Sequence, residues 1–179
     1  MEEIKPDEIV ELFKKNLNES AIIDSKIENK TAGLKKNSYN VIWLQINPED
    51  LKNIVKFLCS TTPFPHFAMI SGNDIGENIE LIYHFSIYYG ERFKENSISL
   101  VMHLSKKNLK ILTITDLIPG AQTAEREIKE MFGVNFEGLP DLPNIFLPQD
   151  FQKGVYPLRR DEKGIDKIIK KEDEVRKVE

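Results

Sequence analysis

Apolar positions along this chain repeat with two periods, and the switches between them mark its elements. Pro6 and Asp7 open a helical pattern in which Ile9, Val10, Phe13 and Leu17 share one face. A strand is predicted over 21–27, and the polar stretch 30–40 around Gly33 reads as a loop. Residues 41–46 form a second strand, apolar on both faces and therefore central. Asn47, Pro48, Glu49 and Asp50 then start a helix: Asn47 can cap, Pro48 suits the first position, and the acids complement the dipole. Leu51, Ile54, Val55 and Leu58 are its apolar stripe, and Pro63 and Pro65 end the pattern. Period two follows: a strand at 66–71, a turn at Gly72-Asn73-Asp74, then Ile79, Leu81, Tyr83, Phe85, Ile87 and Tyr89 on one face of a long strand. Ile98, Leu100, Met102 and Leu104 repeat the pattern, and a last short strand is expected at 110–115 beyond the Lys107-Asn108 turn. Strands this close in sequence predict an antiparallel meander. A helix from Thr123 to Phe132, ended by Gly133, completes an α+β domain over 1–133, with helices on one face of a mostly antiparallel sheet.

Residues 134–160 differ. Pro140, Pro143, Pro148 and Pro157, with Gly138 and Gly154, forbid regular structure, yet large apolar residues recur throughout. Such a segment lies on a surface, its own domain's or a partner's. An extended docking arm is expected, with Phe136, Leu142, Phe146, Phe151 and Tyr156 as anchors. Residues 161–179 are a charged tail in which Ile165, Ile168, Ile169 and Val175 approach helical spacing.

Composition narrows the chemistry. The 179 residues carry a net charge of −4, with 40% hydrophobic and 30% charged side chains, which suits one globular domain and offers no basic stripe for nucleic acid. The Lys, Glu and Ile content fits a thermophile. No run approaches the roughly 18 apolar residues of a membrane span, and residues 1–10 lack the apolar core of a signal peptide, so the cytosol is expected. Phosphate-binding glycine loops and nucleophile elbows are absent. The single cysteine, Cys59, cannot supply a four-thiolate cluster and reads as a core thiol. His84 and His103 fall on neighbouring strands without a third ligand, so exposed strand histidines are expected. The densest charge cluster, Glu125, Arg126, Glu127, Lys129 and Glu130, reads as a helix surface paired with itself at i,i+4. Acid–base catalysis by Glu125 and Glu127 in a free-standing enzyme is the competing reading, although the two point to different helix faces. Arg126, Arg159 and Arg160 offer forks for a partner's carboxylates.

Three of these stretches together carry a resemblance. Residues 123–134, TAEREIKEMFGV, are similar to the ERE-containing, Gly-terminated helix of the C-subunit family of NADH:quinone oxidoreductase (complex I). Residues 136–142, FEGLPDL, match the family's following segment, and residues 157–161, PLRRD, match its closing motif with one Arg for Lys. The resemblance spans some forty residues in the right order, whereas the first sixty are compatible by pattern only. Thr123 stands where the family often has Trp, Leu139 where it often has His, and Pro143-Asn144 where arginines usually follow. These departures resemble the short, separate C-like protein of archaeal membrane-bound [NiFe]-hydrogenases and related ferredoxin-linked complexes. With no large-subunit sequence following, the separate form is expected.

The resemblance implies a non-catalytic structural and assembly subunit in the cytoplasmic peripheral arm of a membrane-bound, ion-pumping respiratory complex. It implies no cofactor, metal or catalytic residue in this chain, with the Fe–S clusters and any Ni–Fe centre in partner subunits. Those partners would be a [NiFe]-type large subunit, D-like in complex I terms, and a B-like Fe–S small subunit. Glu125, Arg126, Glu127, Arg159 and Arg160 join the apolar anchors as partner-binding residues. An NADH-, quinone- or methanophenazine-linked complex I relative and a sulfur-reducing relative remain open.

Overall fold

The computed structural model describes residues 5–17, 21–32, 37–61, 65–91 and 95–165. Helix α1 (Pro6–Asn16) precedes a hairpin of β1 (Ile22–Ala32) and β2 (Asn37–Ile46). A 3₁₀ turn (Pro48–Asp50) leads into α2 (Leu51–Thr61). Strands β3 (His66–Asp74), β4 (Asn78–Ile87) and β5 (Asn96–Ser105) follow, then the short β6 (Lys110–Leu112), helix α3 (Gln122–Phe132) and β7 (Asn135–Glu137). The fold is α+β. Part of the charged tail's expected helical pattern, residues 166–179, lies outside the described residues.

The five long strands take the order β1-β2-β5-β4-β3. The expected meander exists as β3-β4-β5, paired antiparallel, but β2 and β5 run parallel, with Ile42 opposite Ile98 and Leu44 opposite Leu100. Parity accounts for this. Helix α2 returns the chain from the end of β2 to the far edge of the sheet, so the meander folding back brings β5 beside β2 in the same direction. The order places β5 at the centre and β2 one position off it.

Alternation decides which face is covered. Ile79, Leu81, Tyr83, Phe85 and Ile87 of β4, Ile98, Leu100, Met102 and Leu104 of β5, and Ile42, Leu44 and Ile46 of β2 are all buried. They form one cluster with Ile9, Val10 and Phe13 of α1, Leu51, Ile54, Val55 and Leu58 of α2, and Ile128 and Phe132 of α3. All three helices therefore pack on this single face. The strands run further than their apolar stretches: β1 and β2 extend into the segment expected as loop, and β3 continues through Gly72-Asn73-Asp74 before turning. Tyr89 leaves the apolar row. Tyr88 adopts φ 57°, a left-handed conformation that ends the strand, and Tyr89 swings out to stack on His66 at 3.9 Å.

The domain does not stop at Gly133. Gly133 ends α3 at φ 77°, and the chain turns back so that β7 pairs parallel with β6 and carries Val134 and Phe136 into the core. Helix α3 also presses on the sheet at Gly72, where a Cβ would strike the Phe132 ring and the Ile128 side chain. Gly72→Val is therefore expected to lower stability by about 1–3 kcal/mol, the usual cost of overpacking. A denaturant melt checks this, and an unchanged midpoint would show that α3 can stand off from β3.

Candidate docking surface

Helix α3 and residues 138–165 build one site between them. The irregular segment lacks a hydrogen-bond ladder of its own, so its backbone groups need partners from elsewhere. Glu130 supplies three. Its carboxylate accepts the amide N–H groups of Ile145, Phe146 and Leu147 at 2.8, 2.9 and 2.9 Å. Burial works to raise this carboxyl, but the three amides and the nearby Arg126 charge outweigh it and hold it below the usual range. Arg126 donates to the Pro143 carbonyl, and Lys129 reaches Asp141 at 3.1 Å. Of the expected i,i+4 pairs within α3, Arg126 still acts on Glu130 through its charge, but Arg126, Lys129 and Glu130 all make their hydrogen bonds to the segment.

The far end is held by a chain of charges. Asp74, buried at the end of β3, accepts from Lys106 Nζ at 2.7 Å and from the Arg160 amide at 2.8 Å. Lys106 also meets Asp161 at 2.9 Å, and the Arg159 guanidinium forks onto Asp161 through Nε and Nη2. Partial burial pushes the Asp161 carboxyl up, but Arg159, Lys106 and the Lys163 amide prevail and bring it down to about 2. Asp74 is likewise lowered against the pull of burial, by the Arg160 amide, Lys106 and the Gly76 amide. Tyr156 lies across Gly133, where any side chain would collide with its ring, and the Leu158 amide donates to the Met131 carbonyl at 3.2 Å. The segment is a strap fastened to its own domain.

Fastening settles where the expected anchors sit. Glu125 is not a surface residue. It is fully buried, accepts from the Ile114 amide at 2.9 Å and from the Thr113 hydroxyl, and braces the turn before α3. Burial raises its carboxyl, and the Ile114 and Thr113 hydrogen bonds offset only part of that. Glu127 is exposed on another side of the helix, so the two carboxylates share no site. Phe136 is buried in the core and Arg159 in its fork with Asp161, which leaves neither free for a partner. Phe151 and Tyr156 are half-buried against the domain, while the Arg160 side chain is exposed. Leu142 and Phe146 do face outward, each 45% exposed, and Ile145 and Leu158 join them. Glu130, Asp74, Lys106 and Asp161 were not among the candidate residues. Only proximity in space joins Asp74 to Arg160 across 86 positions, and no local spacing signals it.

Of the two strand histidines expected to be exposed, His103 is exposed and His84 is not. His84 is half-buried, sits between Ser71 and Ser99 at 3.0 and 3.2 Å, and is lowered by burial. His103 pairs with Glu80, four positions along β4 from His84, so the two do not converge. Cys59 is only partly buried, and desolvation raises its thiol. Among the described residues, no three His, Cys, Asp or Glu side chains gather as metal ligands, and no helix is long and apolar enough to cross a membrane.

The family profile described as the respiratory-chain NADH dehydrogenase 30 kDa subunit matches residues 44–167, which include both the strap and its fastenings. The chain belongs to that family. It is 33% identical over 145 residues to the beta subunit of the membrane-bound hydrogenase of Pyrococcus furiosus, covering 80% of this chain and 83% of that one. It is 32% identical over 131 residues to the C/D subunit of the NADH-quinone oxidoreductase of Serratia proteamaculans, covering 68% of this chain but only 21% of that protein. A chain of the archaeal membrane-bound sulfane sulfur reductase shares the fold, with a TM-score of 0.70 at 22% identity over 92% of this chain and 89% of that one. These relatives are subunits of oxidoreductase complexes.

Two outcomes test the strap. Glu130→Ala strips three amides of a charged acceptor and should weaken the strap's attachment by about 2–4 kcal/mol. Limited proteolysis should then cut within 138–165 while the sheet domain survives, and equal resistance to the native chain would refute the fastening. Acid should act in the same direction. Groups lowered in the folded state contribute stability above their ordinary values and lose it as pH falls through the folded ones. Asp161 and Asp74 should therefore hold the strap at pH 5 and release it progressively from about pH 4 toward pH 2. Hydrogen exchange at the Arg160 amide follows this directly, and protection that does not fall over that range would count against the latch.

Proposed function

We propose that this chain is a non-catalytic structural subunit of a membrane-bound, hydrogenase-like respiratory complex, docking on the [NiFe]-type large subunit at the cytoplasmic face of the membrane. The observation that carries the reading is the outer surface of the strap. Leu142, Ile145, Phe146 and Leu158 stand exposed on a segment held rigid from beneath. A solvated tail has no need of such anchors, whereas an interface gains from apolar groups that are already ordered. Membership of the family and similarity to the Pyrococcus furiosus protein along most of both chains support the hydrogenase-like host. The match to the C/D protein covers less of this chain, which makes an NADH- or quinone-linked host the second reading. The redox centres are assigned to partners, an Fe–S small subunit among them, because one cysteine is too few for a four-thiolate cluster. The chain's work is then to hold the peripheral arm together while electrons pass from ferredoxin through its neighbours.

Gentle solubilisation of native membranes and purification through this chain should recover a [NiFe]-type large subunit and an Fe–S small subunit. Recovery of the chain alone would overturn the reading, and recovery of NADH-oxidising subunits would favour the second. A Leu142→Asp/Phe146→Asp double variant should melt like the native chain yet lose at least about tenfold in recovered partner, a loss of ~1.4 kcal/mol or more.

A further inference from the structure

A third side of α3 faces neither the core nor the strap. The helix meets β3 closely at Gly72 through Ile128 and Phe132. Toward its N-terminal end it stands away from the strand, and a groove of about 790 Å³ opens there. The end of α2, the first residues of β3, the turn 117–120 and the first turns of α3 enclose it. Cys59, Phe67, Met69, Leu117, Ile118 and Ala124 make its wall mainly apolar, with His66 among the polar side chains that share it, and Met69 is 52% exposed. Thr123 is exposed at the rim. Glu127 is the only carboxylate in the lining, and it forms no ion pair among the described residues, where Lys52 and Lys129 are committed to Asp116 and Asp141.

We propose that this groove is a second docking site, taking a partner-subunit segment that inserts a large apolar side chain and sets a lysine or arginine against Glu127. The inference rests on the subunit reading above and concerns a different surface from the strap. The trough is mainly apolar, its His66 ring is already stacked on Tyr89, and Glu127 at its rim is its one carboxylate. It fits an anchor residue flanked by a complementary charge. Strand addition is the less suitable mode. β3 is the sheet's edge, but its register slips between Phe67 and Met69, and such a bulge interrupts the row of backbone groups a new strand would need.

Cys59, the chain's one thiol, lines the groove and reports on its occupancy. The rate of maleimide labelling at Cys59 is measured at mildly alkaline pH on the isolated chain and on the complex purified from membranes. Labelling is expected to be at least about tenfold slower in the complex. Glu127→Lys should restore the rate seen in the isolated chain while the chain still assembles through its strap. Glu127→Gln should restore it in part, and guards against a folding defect in the reversed charge. Equal labelling in the isolated chain and in a complex that contains it overturns the groove and leaves the subunit reading standing. A thiol already shielded in the isolated chain means the chain fills its own groove, which also overturns the proposal. Continued protection in Glu127→Lys removes the basic contact and with it the stated partner. Absence of the chain from any complex brings down both readings, and the purification itself reveals that case.

Discussion

One carboxylate accepting three consecutive amides is the constraint on which the outer half of this molecule depends. A segment broken by proline cannot form a helix or a ladder, yet its amides cannot be buried unpaired. Glu130 resolves the conflict at residues 145–147, where the chain bends against α3. Because the acceptor is charged and its surroundings keep it so, each bond is stronger than a neutral one. Arg126 and Lys129 extend the same line of contact to Pro143 and Asp141. The apolar groups on the strap's outer side are consequently presented at fixed positions, and ordering them no longer draws on a partner's binding energy.

The two glutamates five positions apart on α3 show how environment divides one residue type between two tasks. Glu125 points inward, is raised by burial, and ties α3 to the turn at Thr113 and Ile114. Glu130 points toward the strap and is lowered by the amides it accepts. Between them, Glu127 reaches solvent above the groove. The acidic and basic residues that read as a self-paired helix surface are therefore distributed over three directions. Each direction binds a different part of the chain or is left open.

How much of this was legible follows from the range of the interactions. The alternation in β4 and β5 and the stripe of α2 are local, and they predicted the buried rows and the helix-covered face residue by residue except at Tyr89, where the left-handed Tyr88 breaks the alternation. The α+β class followed from them. The parallel β2–β5 pair was not legible, because it depends on where α2 delivers the chain and not on the pattern of either strand. Phe136 looked like an arm residue for the same reason. Its strand of three residues has meaning only beside Lys110–Leu112. At the site, the apolar exposure of Leu142 and Phe146 was readable from composition, whereas the burial of Glu125 and Arg159 was not. A charged side chain enters the interior only with its partners, and those of Glu125 lie a full element away.

The motif stretches can now be assigned physical duties. TAEREIKEMFGV is the helix that serves three surfaces, and its closing glycine both ends the helix and seats Tyr156. FEGLPDL begins as core strand and becomes strap within a few residues, with Asp141 already returned to Lys129. PLRRD is the distal fastening, where Arg159 serves Asp161 and the Arg160 backbone serves Asp74. Even the conservative-looking exchange of Lys for Arg at position 160 falls where the backbone amide, and not the side chain, makes the internal contact, which is why the strap can close without it. The Arg160 side chain remains outward, free to answer to whatever lies against the strap. The same logic holds at Thr123: a position whose side chain fastens nothing within the described chain is one where the surface presented to a neighbour can change without cost to the fold.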